Sequence, residues 1–135
     1  MTKPIPQIQK YMTRVPAHIE VTCPLKDAAL MMKEEGFRHL PVMQKGKIMG
    51  MLSMTDVNAT AMLVGSDISK LKVDDIYHRD PCIVTAEAKL DEVCEMMVLH
   101  KYGSVLVADN EKLVGIFTWI DALKAMDELL HSRLK

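Results

Sequence analysis

The chain has 135 residues, of which 49% are hydrophobic and 26% are charged, a composition typical of a folded globular domain. Its net charge of -1 gives no reason to expect the basic surface that nucleic-acid binding requires, so we expect no nucleic-acid partner. Apolar stretches are far shorter than the roughly 20 residues of a membrane span, and the N-terminus lacks the apolar core of a signal peptide. The three cysteines and five histidines show no metal-binding spacing. We therefore expect a cytoplasmic protein with no membrane span and no metal site.

The first half of the chain predicts an extended segment, a helix, a two-stranded hairpin and a second helix. The first helix is indicated by apolar residues at the spacing i, i+3, i+4 and i+7, namely Leu25, Ala28, Ala29 and Met32. A polar turn containing Gly46 joins the two strands. The predicted elements are Ile19–Thr22, Leu25–Glu35, His39–Met43, Ile48–Ser53 and Thr55–Leu63.

The second half repeats the first at a fixed offset. Gly50 to Asp56 aligns with Gly115 to Asp121, and 115 − 50 gives an offset of 65 residues. The predicted elements of the second half are Ile83–Thr85, Leu90–Lys101, Ser104–Ala108, Leu113–Thr118 and Ile120–Leu134. The chain is therefore a tandem duplication of a β-α-β-β-α unit, with residues 1–66 as the first repeat, residues 1–8 as its N-terminal extension, and residues 67–135 as the second repeat. Because one copy is too small to be comfortably stable alone, we expect the two to pack as one α/β module.

The duplicated motif carries a family resemblance. In each copy the last strand ends in Gly, two apolar residues, Ser or Thr, two variable residues and Asp. Phe37 to Val42 also looks like the segment by which that family enters its second strand. The chain thus resembles a stand-alone pair of cystathionine-beta-synthase (CBS) repeats, also called a Bateman module. The resemblance implies two interlocked repeats related by a pseudo-two-fold axis.

The resemblance also implies a function. Such modules are regulatory sensors that bind an adenosine-containing ligand, such as AMP, ADP, ATP, S-adenosylmethionine or NAD(H), in the cleft between repeats. They need no cofactor, pair through their repeat helices into homodimers, and act on a regulated protein partner. Carried over by matching positions, one cleft is formed by Thr22, Arg38, His39, Pro41, Thr118 and Asp121, and a second by Ser53, Asp56, Thr85, Tyr102 and Ser104. The first cleft is favoured, because Arg38 supplies a fixed cation for a phosphate and His39 a titratable one. The second would suit a neutral adenosyl group.

The chemistry of the motif fits this function. Thr118 lies where a strand ends and a helix begins, and the free N–H groups of a helix N-terminus suit a phosphate. Asp121 has two carboxylate oxygens that can accept hydrogen bonds from the two hydroxyls of a ribose. The alternative is a capping box, in which the acid returns a hydrogen bond to its own helix start. That alternative fits Ser53 and Asp56 best.

Two other functions stay open. The chain could be a structural dimeric adaptor whose clefts are empty. An enzyme is the more remote alternative, because no catalytic Ser/His/Asp or Cys/His arrangement and no phosphate-binding loop occurs in the sequence. We therefore expect a protein that is not an enzyme.

Overall fold

Two separate sheets and four α-helices organise the chain, in a computed structural model that describes residues 4–14, 17–65 and 67–133. In chain order the elements are β1 (Thr13–Arg14), β2 (Ile19–Glu20), α1 (Leu25–Glu35), β3 (His39–Gln44), β4 (Lys47–Ser53), α2 (Met54–Leu63), β5 (Ile83–Thr85), α3 (Leu90–His100), β6 (Ser104–Asp109), β7 (Lys112–Thr118) and α4 (Trp119–Arg133). Short 3₁₀ turns lie at Ile8–Lys10 and Val73–Asp75. No helix among the described residues is both long and apolar enough to cross a bilayer.

The chain divides into two compact units. We call Ala17–Pro81 the central unit, and the described residues of Met1–Pro16 together with those of Cys82–Lys135 the terminal unit. The two units have the same strand arrangement, as the duplication predicts. Each has a core of its own, built on one sheet and its helices.

The central unit contains the sheet β2-β3-β4. Strand β2 runs parallel to β3 and β4 runs antiparallel to it, with His39 opposite Ser53. The apolar stripe of α1 packs on this sheet, and its residues Leu25, Ala28 and Met32 are buried. The helical spacing in the sequence thus predicts which face of α1 enters the core.

The terminal unit contains the sheet β1-β7-β6-β5. Strand β5 is parallel to β6, and β6 is antiparallel to β7, with Ser104 opposite Thr118. Strand β1 adds to the outer edge of β7, where Thr13 lies opposite Ile116. The segment before the first repeat is therefore part of the sheet of the second repeat.

The predicted fold class and elements are confirmed. The helix Leu25–Glu35 and the strand Ile83–Thr85 have the predicted bounds, and the hairpin strands are one residue longer at their turns. The predicted extended segment Ile19–Thr22 is a strand only over Ile19–Glu20, because the chain turns at Val21. Leu134, the predicted last residue of the closing helix, lies outside the described residues. The repeat boundaries, 1–66 and 67–135, stay a prediction about the sequence; the compact units divide the chain at other positions.

Candidate functional site

Thr118 and Asp121 form a capping box at the start of α4. Thr118 is the last residue of β7, and its backbone N–H donates to Oδ2 of Asp121 at 3.0 Å, with its hydroxyl 3.2 Å from the same oxygen. In return, the backbone N–H of Asp121 donates to Thr118 Oγ1 at 3.4 Å. Asp121 is only 7% exposed. Its carboxylate therefore holds its own helix end.

A third partner reaches Asp121 from the N-terminal segment. The hydroxyl of Thr13, in β1, lies 3.3 Å from Oδ1 and 3.4 Å from Oδ2 of Asp121. These are long hydrogen bonds. Both carboxylate oxygens are nevertheless engaged, so a ligand hydroxyl can reach Asp121 only by replacing a partner that is already there.

Ser53 and Asp56 make a simpler helix start in the central unit. Ser53 is the N-cap of α2, and its Oγ accepts from the backbone N–H of Asp56 at 3.1 Å. The Asp56 side chain is exposed, and within the described part of the chain its carboxylate accepts no hydrogen bond. The complete capping box thus occurs at Thr118 and Asp121, not at Ser53 and Asp56, where the sequence favours it. The reason is that Ser53 supplies its cap with a hydroxyl alone.

Arg38 and His39 lie beside this helix start. His39 is opposite Ser53 in the sheet, and the backbone N–H of Met54 donates to the carbonyl oxygen of Arg38 at 2.8 Å. Burial lowers the pKa of His39, the positive charge of Arg38 lowers it further, and the carboxylate of Asp56 opposes both. We call Arg38, His39, Ser53 and Asp56 the central cluster.

The terminal unit repeats this arrangement with different side chains. Ser104 is opposite Thr118, and the backbone N–H of Trp119 donates to the carbonyl oxygen of Gly103 at 3.2 Å. Tyr102 is stacked on His100, with the ring centroids 5.2 Å apart. We call Tyr102, Ser104, Thr118 and Asp121 the terminal cluster. None of these four side chains is a cation, which is the chemical difference from the central cluster.

The remaining predicted site residues lie elsewhere in their units. Val21 is bonded to Met43 near the far end of β3, so Thr22 lies about five residues along the strand from His39, or roughly 16 Å. Thr22 and His39 are thus too far apart to contact one phosphate group together. Thr85 is paired with Ala108, likewise far from Ser104 along β6. Pro41 is buried within β3.

The glycine that opens each motif has a structural role that the sequence analysis left unassigned. A Cβ on Gly50 would overlap the carbonyl oxygen of His78, and one on Gly115 would lie 2.5 Å from Met12 Sδ and 2.9 Å from the carbonyl oxygen of Thr13. In each unit, the segment before a repeat crosses directly over this glycine. Since His78 − Thr13 and Gly115 − Gly50 both give the offset of 65, the signal was present in the alignment of the two repeats.

The described residues offer no obvious metal or thiol chemistry. They contain no group of three or more His, Cys, Asp or Glu side chains that could hold a metal ion. Burial raises the pKa of the thiols of Cys23, Cys82 and Cys94. Raised pKa values keep these thiols protonated and weakly nucleophilic.

Known structures have this fold. The chain resembles a candidate acetoin utilization protein (AcuB) from Vibrio cholerae, with a TM-score of 0.90 and 27% identity over 98% of this chain and 100% of that one. It also resembles the CBS domain pair of the protein MJ0100, crystallised with 5'-methylthioadenosine and S-adenosylmethionine, with a TM-score of 0.81, 22% identity, and coverage of 93% and 98%. CBSX2 in complex with AMP gives a TM-score of 0.79 and 21% identity over 91% and 97% of the two chains.

A curated relative supports the same relationship. The uncharacterized protein MJ1225 of Methanocaldococcus jannaschii is 33% identical over 114 residues, which are 74% of this chain and 40% of the relative. The chain therefore spans less than half the length of this relative. The sequence profile of the CBS domain matches residues 8–60 and 73–128. With two matching repeats that cover most of its length, the chain belongs to the CBS domain family.

Proposed function

We propose that the chain is a regulatory module that binds an adenosine-containing ligand at the helix starts of its two repeats. The observation that carries the proposal is the central cluster, where an exposed carboxylate without a hydrogen-bonding partner lies beside two basic side chains at a helix N-terminus. The ligands of the related structures, AMP in one and two adenosyl compounds in the other, support the choice of ligand class.

The central cluster suits a nucleotide. The two oxygens of Asp56 can accept from the two ribose hydroxyls, which are neighbouring donors of matching number. The guanidinium of Arg38 and the N–H groups at the start of α2 can bind a phosphate. We therefore infer that Asp56 is the principal ligand carboxylate. The sequence analysis ranks Asp121 first, but the hydrogen bonds that already engage Asp121 reverse that order.

The terminal cluster suits a neutral group. It offers hydroxyls and an aromatic ring but no cation, so an uncharged nucleoside is its best match. The combination of each cluster with residues of the other repeat, which the resemblance implies, stays a prediction. So does the homodimer; its support is the row of half-exposed apolar side chains on α4, namely Leu123, Met126 and Leu130.

A thermal-shift panel tests the proposal. AMP, ADP, ATP, S-adenosylmethionine and NAD are added to the full chain, and at least one should raise the melting temperature. At a free concentration about 100 times its dissociation constant, a ligand adds about 2.7 kcal/mol of stability, which corresponds to several degrees. If no adenosine compound shifts the melting temperature, the structural adaptor becomes the better account.

Two variants separate the carboxylates. Asp56→Ala should abolish the ligand-induced shift while changing the ligand-free melting temperature little, because that carboxylate makes no hydrogen bond in its unit. Asp121→Ala should lower the ligand-free stability by about 1 kcal/mol through the lost cap and keep most of the shift. Glu34→Gln, at an exposed position of α1, is the control for a changed net charge. Loss of the shift in Asp121→Ala alone would overturn the assignment to Asp56.

A further inference from the structure

The Asp121 carboxylate differs from its repeat counterpart because of one contact with the N-terminal segment. Thr13 of β1 donates to both of its oxygens, at 3.3 and 3.4 Å. At the offset of 65 residues, the counterpart of Thr13 is His78. His78 bonds to Met51 through its backbone, and within the described residues its side chain makes no hydrogen bond to Asp56. The contact therefore exists in one unit and is absent from the equivalent place in the other.

We propose that Thr13 is an autoinhibitory latch on a second nucleoside site at Asp121. This inference rests on the proposed function. The Thr118 bonds leave Oδ1 of Asp121 free of the cap, since both run to Oδ2. Thr13 is the donor that occupies Oδ1. A ribose hydroxyl that binds Oδ1 must therefore displace the Thr13 hydroxyl, while the cap on Oδ2 can remain.

The latch couples the site to the N-terminal strand. Strand β1 consists of two residues paired with β7 at Ile116 and Gly115, so it has few bonds of its own. Displacement of Thr13 removes the side-chain bonds that tie this strand to α4. Ligand at Asp121 thus loosens β1, and by thermodynamic reciprocity loosening β1 strengthens the binding of ligand.

The latch is weak enough to open. Its hydrogen bonds are at the long end of the accepted range, and a ribose diol presents two hydroxyls against one. Removing the Thr13 hydroxyl should tighten binding at this site by roughly three- to tenfold, the range that the net contribution of one hydrogen bond corresponds to.

The test isolates the terminal cluster in an Asp56→Ala background and uses adenosine as the probe, measured by isothermal titration calorimetry on the full chain. Adding Thr13→Val, which keeps the shape and removes the donor, should raise the affinity for adenosine. Thr13→Ser keeps the hydroxyl and should leave the affinity at the background value. Adding Asp121→Ala should abolish binding of adenosine. Equal affinities for the Val and Ser variants would refute the latch.

The two proposals fail in different ways. If the unaltered chain binds a nucleotide while Thr13→Val leaves the adenosine affinity unchanged, the latch is wrong and the proposed function stands. If neither the unaltered chain nor any variant binds an adenosine compound, both are wrong. Should Thr13→Val not fold, hydrogen exchange on the Asp56→Ala protein decides instead. Saturating adenosine should then speed the exchange of the β1 and β7 amides at Thr13 and Ile116, and unchanged or slower exchange there would contradict the latch.

Discussion

At the scale of single residues, the protonation of His39 decides which group in the central cluster carries positive charge. Burial is the largest cause of its lowered pKa, and the guanidinium of Arg38 is the second. The ordinary pKa of histidine is about 6.5, so a lowered value keeps His39 neutral at pH 7. Arg38 is then the fixed cation of the cluster, and His39 can serve it as a neutral hydrogen-bonding group.

This lowered pKa predicts a pH-dependent stability. Between the pKa in the folded protein and about 6.5, the unfolded chain binds more protons at this histidine than the folded one, so the free energy of unfolding rises with pH across that window. His39 thus stabilises the fold least in acid, where the folded protein must protonate it. We expect urea unfolding at pH 7.5 and pH 5.5 to show a smaller pH dependence in His39→Gln than in the unaltered chain.

The direction of each neighbour's effect provides the control. The Asp56 carboxylate raises the pKa of His39, so Asp56→Asn should lower that pKa further, and Arg38→Gln should raise it. Titration of the His39 ring protons by nuclear magnetic resonance measures both shifts. Movement of the pKa in the same direction in both variants would mean that the two charges do not act on His39 as the structure places them.

At the scale of the elements, α1 and α3 end in the same left-handed conformation with different residues. Gly36 follows α1 with a φ of 73°, and Lys101 follows α3 with a φ of 59°; the two positions are 65 residues apart. Only glycine adopts this conformation without a steric cost from Cβ. The helix stop is therefore better satisfied in the first repeat than in the second.

Exchanging the residues at these helix ends should change stability in opposite directions. Lys101→Gly is expected to stabilise the protein by about 0.5–1 kcal/mol, and Gly36→Ala to destabilise it by a similar amount, since no other atom lies near Gly36 to add a packing effect. Chemical denaturation measures both. A matched exchange at an exposed helical position, Lys33→Gly, should instead destabilise, because there glycine costs helix propensity. Destabilisation by Lys101→Gly would show that its side chain makes a contribution larger than the backbone strain.

The elements that the sequence predicts well are those with local signals. The stripe of Leu90, Val93 and Met97 is buried as expected, and the hairpins follow from alternating runs and polar turns. Strand β1 has only two residues, so it carries no periodicity, and its partner lies about a hundred residues away. For the same reason the sequence could identify Asp121 as a candidate but could not place Thr13 against it, and the availability of that carboxylate depends on this distant contact.

At the scale of the whole chain, the sequence repeats and the compact units do not coincide at the N-terminus. Ile8 is fully buried in the core of the terminal unit, beside residues of the second repeat. Its backbone N–H donates to the carbonyl oxygen of Ala88 at 2.7 Å, and the N–H of Leu90 donates to that of Pro6 at 2.9 Å. The segment that the sequence analysis treats as an extension of the first repeat is thus a structural part of the terminal unit.

A comparison of two isoleucines tests this connection. Ile8→Ala removes a side chain that is 0% exposed and should cost about 2–5 kcal/mol, the range for a large-to-small change in a core. Ile5→Ala, three residues earlier and 43% exposed, keeps the same chemistry and should cost much less, because part of that side chain already faces water. Urea denaturation measures both, and hydrogen exchange should be faster in β6 and β7 of the Ile8 variant. Because the cavity would lie beneath Phe117 and Val105, a small cost for Ile8→Ala with unchanged protection of these strands would mean that the N-terminal segment lies on the terminal unit without completing its core.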